Sequence, residues 1–215
     1  MKKILGLTVA ALLVMGLVGG GTFAYFSDVE TSSANVITAG TLDLTLNDAD
    51  DNVNIIAALT NKKPGDADKT PGPSAALKNA GSLTGGLSIA FGTVTNTESS
   101  GGTEFEADGG NGELGAKVKI APWIDVNANS TFDTGDLPLK SDGTIKTFAD
   151  GLQWDTVDAF DSDVFTDAIA SFAGTNPGPA ASVKFYLPWD FVEPGSQDNS
   201  AQGDSFSVGI TFTLK

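Results

Sequence analysis

The chain has 215 residues, and its 27 acidic residues against 12 basic ones give a net charge of −15 at pH 7. All the basic residues are lysine, and the sequence contains no histidine and no cysteine. These absences exclude a Ser-His-Asp triad, a cysteine nucleophile and a zinc site made of imidazole and thiolate ligands. The acidity argues against nucleic acid and anionic membranes as partners, because both require clustered positive charge. We therefore expect a protein that is not an enzyme, although a mechanism based on carboxylates alone is compatible with the composition.

The first 24 residues have the pattern of a secretory signal peptide. Two lysines precede an apolar stretch at residues 4–18, which is short for a membrane span. Small residues at Thr22 and Ala24 fit a cleavage site, so we expect the mature chain to begin at Tyr25 and to be extracellular, without membrane association. The alternative is a retained membrane anchor, which a run of three glycines disfavours because glycine weakens a helix.

The next segment, residues 25–40, is polar and β-prone, and we interpret it as an N-terminal donor strand. Four of its apolar or β-branched side chains share one parity of an extended chain: Tyr25, Val29, Thr31 and Ile37. An isolated strand is marginal in water, so this one must pair with another strand. It either folds back within its own subunit or adds to an open sheet edge of a neighbouring copy.

The remaining residues, 41–215, are predicted to form one β-rich domain. Apolar and polar residues alternate, as in half-buried strands, at residues 41–46, 114–120, 183–191 and 206–214. Further strands are predicted at residues 53–59, 83–94 and 143–148, a loop at residues 61–73, and a helix at residues 162–172. About eight irregularly spaced strands favour an all-β, two-sheet jelly-roll sandwich with at most one or two short helices.

The sharpest chemical motif lies at residues 125–136, where the pattern is typical of a calcium-binding loop. Oxygen-bearing side chains occupy positions 1, 3, 5, 9 and 12, and a backbone carbonyl would serve at position 7. The candidate ligands are Asp125, Asn127, Asn129, Thr131, Asp133 and Asp136. Two residues depart from the pattern, because Ser130 replaces the usual glycine and Asp136 replaces a bidentate glutamate. The alternative is an acidic loop held by Asx turns without a metal.

Other acidic and aromatic residues carry weaker signals. The segments 48–52 and 108–113 are predicted to be solvated turns, and the acids between residues 155 and 167 an exposed acidic face. Trp123, Trp154 and Trp189 are predicted to be core residues, with sugar stacking as the alternative.

Three blocks of sequence together resemble one family. They are residues 22–28 (TFAYFSD) with 38–44 (TAGTLDL), residues 63–66 (KPGD), and residues 185–188 (FYLP) with 201–207 (AQGDSFS) and the final strand. On these blocks the chain resembles the family of TasA, CalY and camelysin, together with archaeal bundling pilins. Residues 97–180 carry no motif that aligns with the family.

The resemblance implies a secreted jelly-roll subunit that is processed after Ala24 and assembled into biofilm-matrix fibres or pili by donor-strand exchange. Its partners would be copies of itself and polymers of the cell surface or matrix. Camelysin-like members are described as metallo-endopeptidases, but this chain has no histidine and therefore no H-E-x-x-H helix. The alternative function is a monomeric, calcium-dependent surface adhesin or carbohydrate-binding module.

Overall fold

The computed structural model describes residues 3, 6–10, 12, 39–48, 62–69, 71–98, 112–175, 181–192, 201 and 204–215. These residues divide into two units, Met1–Ala39 and Gly40–Lys215. Among them, no helix is long and apolar enough to cross a membrane. The predicted cleavage site at Ala24 and Tyr25, the donor-strand residues Val29, Thr31 and Ile37, and the predicted strand at residues 53–59 lie outside the described residues.

The second unit consists of short strands joined by turns and three short helical segments. The strands are β1 Leu44–Leu46, β2 Ala67–Asp68, β3 Ser74–Asn79, β4 Gly85–Phe91, β5 Thr95–Thr97, β6 Val118–Ile120, β7 Trp123–Asp125, β8 Leu137–Lys140, β9 Thr144–Ile145, β10 Asp155–Thr156, β11 Val164–Phe172, β12 Ser182–Tyr186, β13 Trp189–Phe191, β14 Ser205–Ser207 and β15 Ile210–Leu214. The helical segments are α1 Leu114–Lys117 and two 3₁₀ turns, Phe148–Asp150 and Val157–Phe160.

The strands pair antiparallel in four open sheets. A six-stranded sheet has the order β1-β3-β12-β7-β8-β9, and a four-stranded sheet has the order β10-β6-β13-β2. A three-stranded sheet, β11-β4-β15, and the pair β14-β5 complete the set within the described residues. The predicted all-β sandwich is confirmed.

One apolar core joins these sheets. Phe185 of β12 meets Phe212 of β15 with ring centroids 5.2 Å apart, which brings the six-stranded sheet against the three-stranded one. Leu77 of β3 and Ile89 of β4 are fully buried in the same cluster. Because burying one such side chain contributes about 1.5–3 kcal/mol, this shared core is the main source of stability.

The helix predicted at residues 162–172 is wrong, because this segment forms β11. Phe165 and Ile169 are four residues apart, yet their partners on β4 are only two residues apart, and a second register shift follows before Phe172. Irregularities of this kind are β-bulges, which add residues to one strand of a pair. They leave Phe165, Ala168 and Phe172 buried at spacings of three and four, which imitates the period of a helix.

Three of the predicted alternating strands are interrupted. The first half of residues 114–120 is helix α1, and only β6 is extended. The segment 183–191 breaks at Leu187 and Pro188, so β12 and β13 belong to different sheets. The segment 206–214 breaks at Val208 and Gly209, between β14 and β15. The apolar alternation continues across the second and third breaks because the strands on either side of each break contribute side chains to the same core.

The remaining strand predictions are confirmed in shortened form. Residues 41–46 contribute β1, residues 83–94 contribute β4, and residues 143–148 contribute β9. The loop predicted at residues 61–73 contains the two-residue strand β2. Strand β3 was not predicted at all, because its sequence, SAALKN, has only weak alternation.

Asn79, the last residue of β3, is a buried polar side chain that links two sheets. Its amide donates hydrogen bonds to the carbonyl oxygens of Leu83, at 2.8 Å, and of Phe172, at 2.9 Å. Its Oδ1 accepts the backbone N–H of Gly81 at 3.1 Å. The side chain therefore ties the turn between β3 and β4 to the end of β11.

Replacing Asn79→Ala should lower the free energy of unfolding by about 2–3 kcal/mol, since the carbonyl groups of Leu83 and Phe172 lose this donor and the Gly81 N–H loses one of its two acceptors. Lys78→Ala, a change at the neighbouring half-exposed residue, should cost less than about 0.5 kcal/mol. Urea unfolding followed by circular dichroism measures both values. Equal effects of the two changes would show that the Asn79 bonds contribute no stability.

Candidate functional site

The loop at residues 125–136 connects β7 to β8 and is built around two buried carboxylates. Asp125 ends β7, Asp136 precedes β8, and their exposed fractions are 0% and 1%. Asp125 accepts the N–H groups of Asn129, at 3.2 Å, and Ser130, at 2.7 Å. Asp136 accepts those of Val126, at 3.1 Å, and of residue 133, at 2.8 Å. The two carboxylates thus hold the loop through its backbone.

The other predicted ligands meet on the exposed side of this loop. Asn127 and Asn129 donate their amide N–H groups to the two oxygens of Asp133, at 3.1 and 2.7 Å. The Oδ1 of Asn129 accepts the N–H of Thr131 at 2.7 Å. The loop therefore connects the predicted residues by hydrogen bonds, and the two amide groups give each oxygen of the Asp133 carboxylate a donor.

The backbone turns sharply at the position where calcium loops usually carry glycine. Ser130 occupies that sixth position with a φ of 67°, and Ala128 also has a positive φ, 56°. Lys184 of β12 donates from its Nζ to the Ser130 Oγ at 2.7 Å. Sequence reasoning missed Lys184, because 54 residues separate it from Ser130. The alternation of β12 was the signal that could have indicated Lys184, because it places this residue on the face opposite to the core residue Phe185.

The electrostatics of the loop favour a cation. Burial raises the pKa of Asp136, and the nearby charges of Asp125 and Asp133 raise it further, while hydrogen bonds from the loop backbone act in the opposite direction. A buried carboxylate without a cationic partner is costly, so it either takes up a proton or binds a positive ion.

Aromatic side chains cover the same face of the sheet. Trp123 stacks on Tyr186 with centroids 4.6 Å apart, and Phe132 of the loop lies against Trp123 at 5.3 Å. Phe148 extends the cluster at 5.0 Å from Phe132. Trp123 is only 1% exposed, so it is a core residue and its face is not available for sugar stacking.

The remaining acidic segments are bound into turns. Asp158 accepts the amide of Asn96 at 2.9 Å, and Asp161 accepts the N–H of Val94 at 2.6 Å. Of the acidic face expected between residues 155 and 167, Asp161 and Asp167 are exposed, whereas the other three acids are partly buried. Asp48 forms an exposed ion pair with Lys78 at 3.6 Å. In the other predicted turn, residues 108–111 lie outside the described residues.

A second acidic group lies apart from the loop. Glu98, Glu113 and Asp204 each place a carboxylate oxygen within 4.8 Å of the others. Among the described residues, the three acids of the 125–136 loop are not drawn together that closely.

Fold and loop together define an antiparallel β-sandwich that carries a candidate cation site at one strand end. The whole chain, residues 1–215, matches the family model described as camelysin metallo-endopeptidase, and the chain belongs to that family. Over 67 residues it is 48% identical to a Bacillus subtilis (strain 168) protein described as a major biofilm matrix component. That stretch covers 31% of this chain and 24% of the relative. The family resemblance inferred from the three sequence blocks is confirmed.

The residues of this chain do not fit the catalytic metal that the family description implies. Metallopeptidases of the H-E-x-x-H type bind zinc through two histidines of one helix, and catalytic zinc sites generally use three protein ligands. The sequence has no histidine and no cysteine. The carboxylate and amide groups gathered here are hard oxygen ligands, which suit calcium or magnesium. No step of peptide hydrolysis is therefore assigned to this chain.

Asp163, just before β11, is a partly buried acid with an unusual environment. Its Oδ2 is buried without a hydrogen-bond partner. Burial raises its pKa above the ordinary value of 3.8, and the charges of Asp142 and Asp161 raise it further. The ionised carboxylate therefore destabilises the fold at neutral pH. Because the folded pKa is the higher one, this destabilisation is removed as the pH falls through it toward 3.8.

Asp163→Asn should raise the melting temperature by a few degrees at pH 7, since it removes the desolvated charge. The advantage over the wild type should shrink as the pH is lowered toward about 4, because the wild-type carboxyl then becomes neutral. Thermal melts followed by circular dichroism across this pH range test it. Asp48→Asn is the control for loss of an exposed acid, and an equal gain from that change would contradict the explanation.

Proposed function

We propose that this chain is a secreted structural protein of the biofilm matrix that polymerises with copies of itself into extracellular fibres. The observation that carries this proposal is the 48% identity over 67 residues to a major biofilm matrix component. The match of the whole chain to its family is consistent with it. The lack of histidine and cysteine supports a structural role over the peptidase activity of the family description. Further partners would be cell-surface or matrix polymers.

The open sheet edges support assembly by strand addition. Strand β1 ends the six-stranded sheet and β15 ends the three-stranded one among the described strands, so each has an edge to offer. The apolar residues of β1 and β15 are only partly buried, whereas those of the central strand β4 are mostly buried. The partly buried residues are Leu44, Leu46, Ile210, Phe212 and Leu214. A strand from a neighbouring copy would complete such an edge.

The proposed source of that strand is the segment 25–40, with Tyr25, Val29, Thr31 and Ile37 inserted into the neighbour. Each copy would then give a strand at one end and receive one at the other. A head-to-tail contact of this kind does not close on itself and propagates a filament.

Deleting residues 25–38 from the chain that begins at Tyr25 should give a folded monomer that forms no filaments. Negative-stain electron microscopy and size-exclusion chromatography measure the outcome, with the undeleted chain as the control. A synthetic peptide of residues 25–38 should raise the melting temperature of the truncated protein, and a scrambled peptide should not. Filaments from the truncated protein, or loss of its fold, would refute donor-strand assembly. Absence of filaments from the undeleted chain would favour the monomeric adhesin.

We also propose that the loop at residues 125–136 binds calcium. The observation that favours this is the burial of two acids of one loop, Asp125 and Asp136, without an ion pair to either among the described residues. Calcium binding would draw the carboxylates inward and turn the amide oxygens of Asn127 and Asn129 toward the ion. The loop then fastens β7 to β8, which is a structural role.

Calcium should raise the melting temperature, because an ion that binds only the folded state stabilises it by about 2.7 kcal/mol at about 100 times its dissociation constant. Differential scanning calorimetry in EGTA and in calcium measures this shift. The double change Asp125→Asn and Asp133→Asn should abolish it, whereas Asp48→Asn together with Asp68→Asn, two exposed acids outside the loop, should preserve it. Identical wild-type melts with calcium and with EGTA would refute the site.

A further inference from the structure

Lys184 has a defined place beside the loop. It lies directly opposite Asp125 in the pairing of β12 with β7, so both side chains leave the same face of the six-stranded sheet. The Lys184 Nζ donates to the Ser130 Oγ at 2.7 Å, and the Ser130 N–H donates to the Asp125 carboxylate at 2.7 Å. One loop residue therefore connects the ammonium to a fully buried carboxylate.

The identity of residue 130 agrees with this connection. With a φ of 67°, Ser130 has a backbone conformation that glycine adopts at lower cost. Glycine would relieve the strain, but it has no hydroxyl for Lys184 to bind. The serine therefore provides an anchoring point for a positive charge at the position where calcium loops turn most sharply.

We propose that Lys184 is the built-in counter-charge of the loop. In the ion-free protein it holds Ser130 in place and offsets the negative charge of Asp125 and its neighbours. When a divalent cation binds, the same ammonium repels it, and because the site is partly buried this repulsion is screened less than in bulk water. Lys184 therefore sets the affinity of the loop, an inference that rests on the calcium site proposed for it.

The test compares single-charge variants of the full chain by calorimetry. Lys184→Gln should bind calcium about threefold to tenfold more tightly than the wild type, and it should melt a few degrees lower in EGTA. Lys184→Arg, which keeps the charge, should stay within about twofold of the wild-type affinity. Lys78→Gln removes one charge from the neighbouring strand β3 and should change neither value.

A second variant separates the hydrogen bond from the charge. Ser130→Ala keeps the ammonium but removes its acceptor, so it should lower the melting temperature in EGTA with little change in calcium affinity. Combined with Lys184→Gln, it should lower the EGTA melting temperature no further, because both changes remove the same bond. Additive effects would show that Lys184 does not act through Ser130.

Each outcome decides between the two proposals. A Lys184→Gln variant that melts like the wild type in EGTA overturns the counter-charge role, whatever its calcium affinity. If neither protein binds calcium, the calcium site is refuted, and the EGTA melt alone decides whether Lys184 supports the loop. If only Lys184→Gln binds calcium, the calcium site of the native chain is refuted, while the charge of Lys184 is shown to act on the loop. If both bind with equal affinity, the calcium site stands and the role of Lys184 in affinity is refuted.

Discussion

The packing of Phe185 against Phe212 determines both the core and the register of β12. These rings bring two sheets together, and the pairing of β12 with its neighbours is set by that contact. Successive side chains of a strand point to opposite faces, so Lys184 and Tyr186 must leave the outer face. A shift of β12 by one residue would expose Phe185 and turn Lys184 away from Asp125. The register that buries the core therefore also positions the loop's positive charge.

The outer face of β7 is buried by chain that folds back over it. All three residues of β7 are buried, although a strand in a sandwich normally has one solvated face. Ile124 faces the core, while Phe132 of the loop covers Trp123, and the loop backbone encloses Asp125. Because the loop shields its own acids from water, their ionised forms carry a desolvation penalty. This burial is what gives a cation, whether lysine or metal, an effect on stability.

The sequence predicted the composition of this loop but not its surroundings. Local spacing was sufficient to identify the six candidate ligands, because they lie within 12 consecutive residues. Lys184 and the aromatic cover depend on strand pairing, which a single sequence does not reveal. The all-β class was predictable from local alternation, whereas the bulges of β11 were not, because they also depend on strand pairing. The buried residues of β11 follow a helical period only because β4 pairs with it irregularly.

The charge of the chain places a condition on any fibre it forms. A mature chain that begins at Tyr25 would carry 10 lysines against 27 acids, a net charge of −17, since residues 1–24 contain two lysines and no acid. Identical subunits of that charge repel one another wherever their surfaces approach within about 8 Å, the screening length at physiological salt. A divalent cation in each loop would remove two negative charges per copy at a fixed place. If both proposals hold, calcium therefore stabilises the subunit and also reduces the repulsion that opposes its assembly.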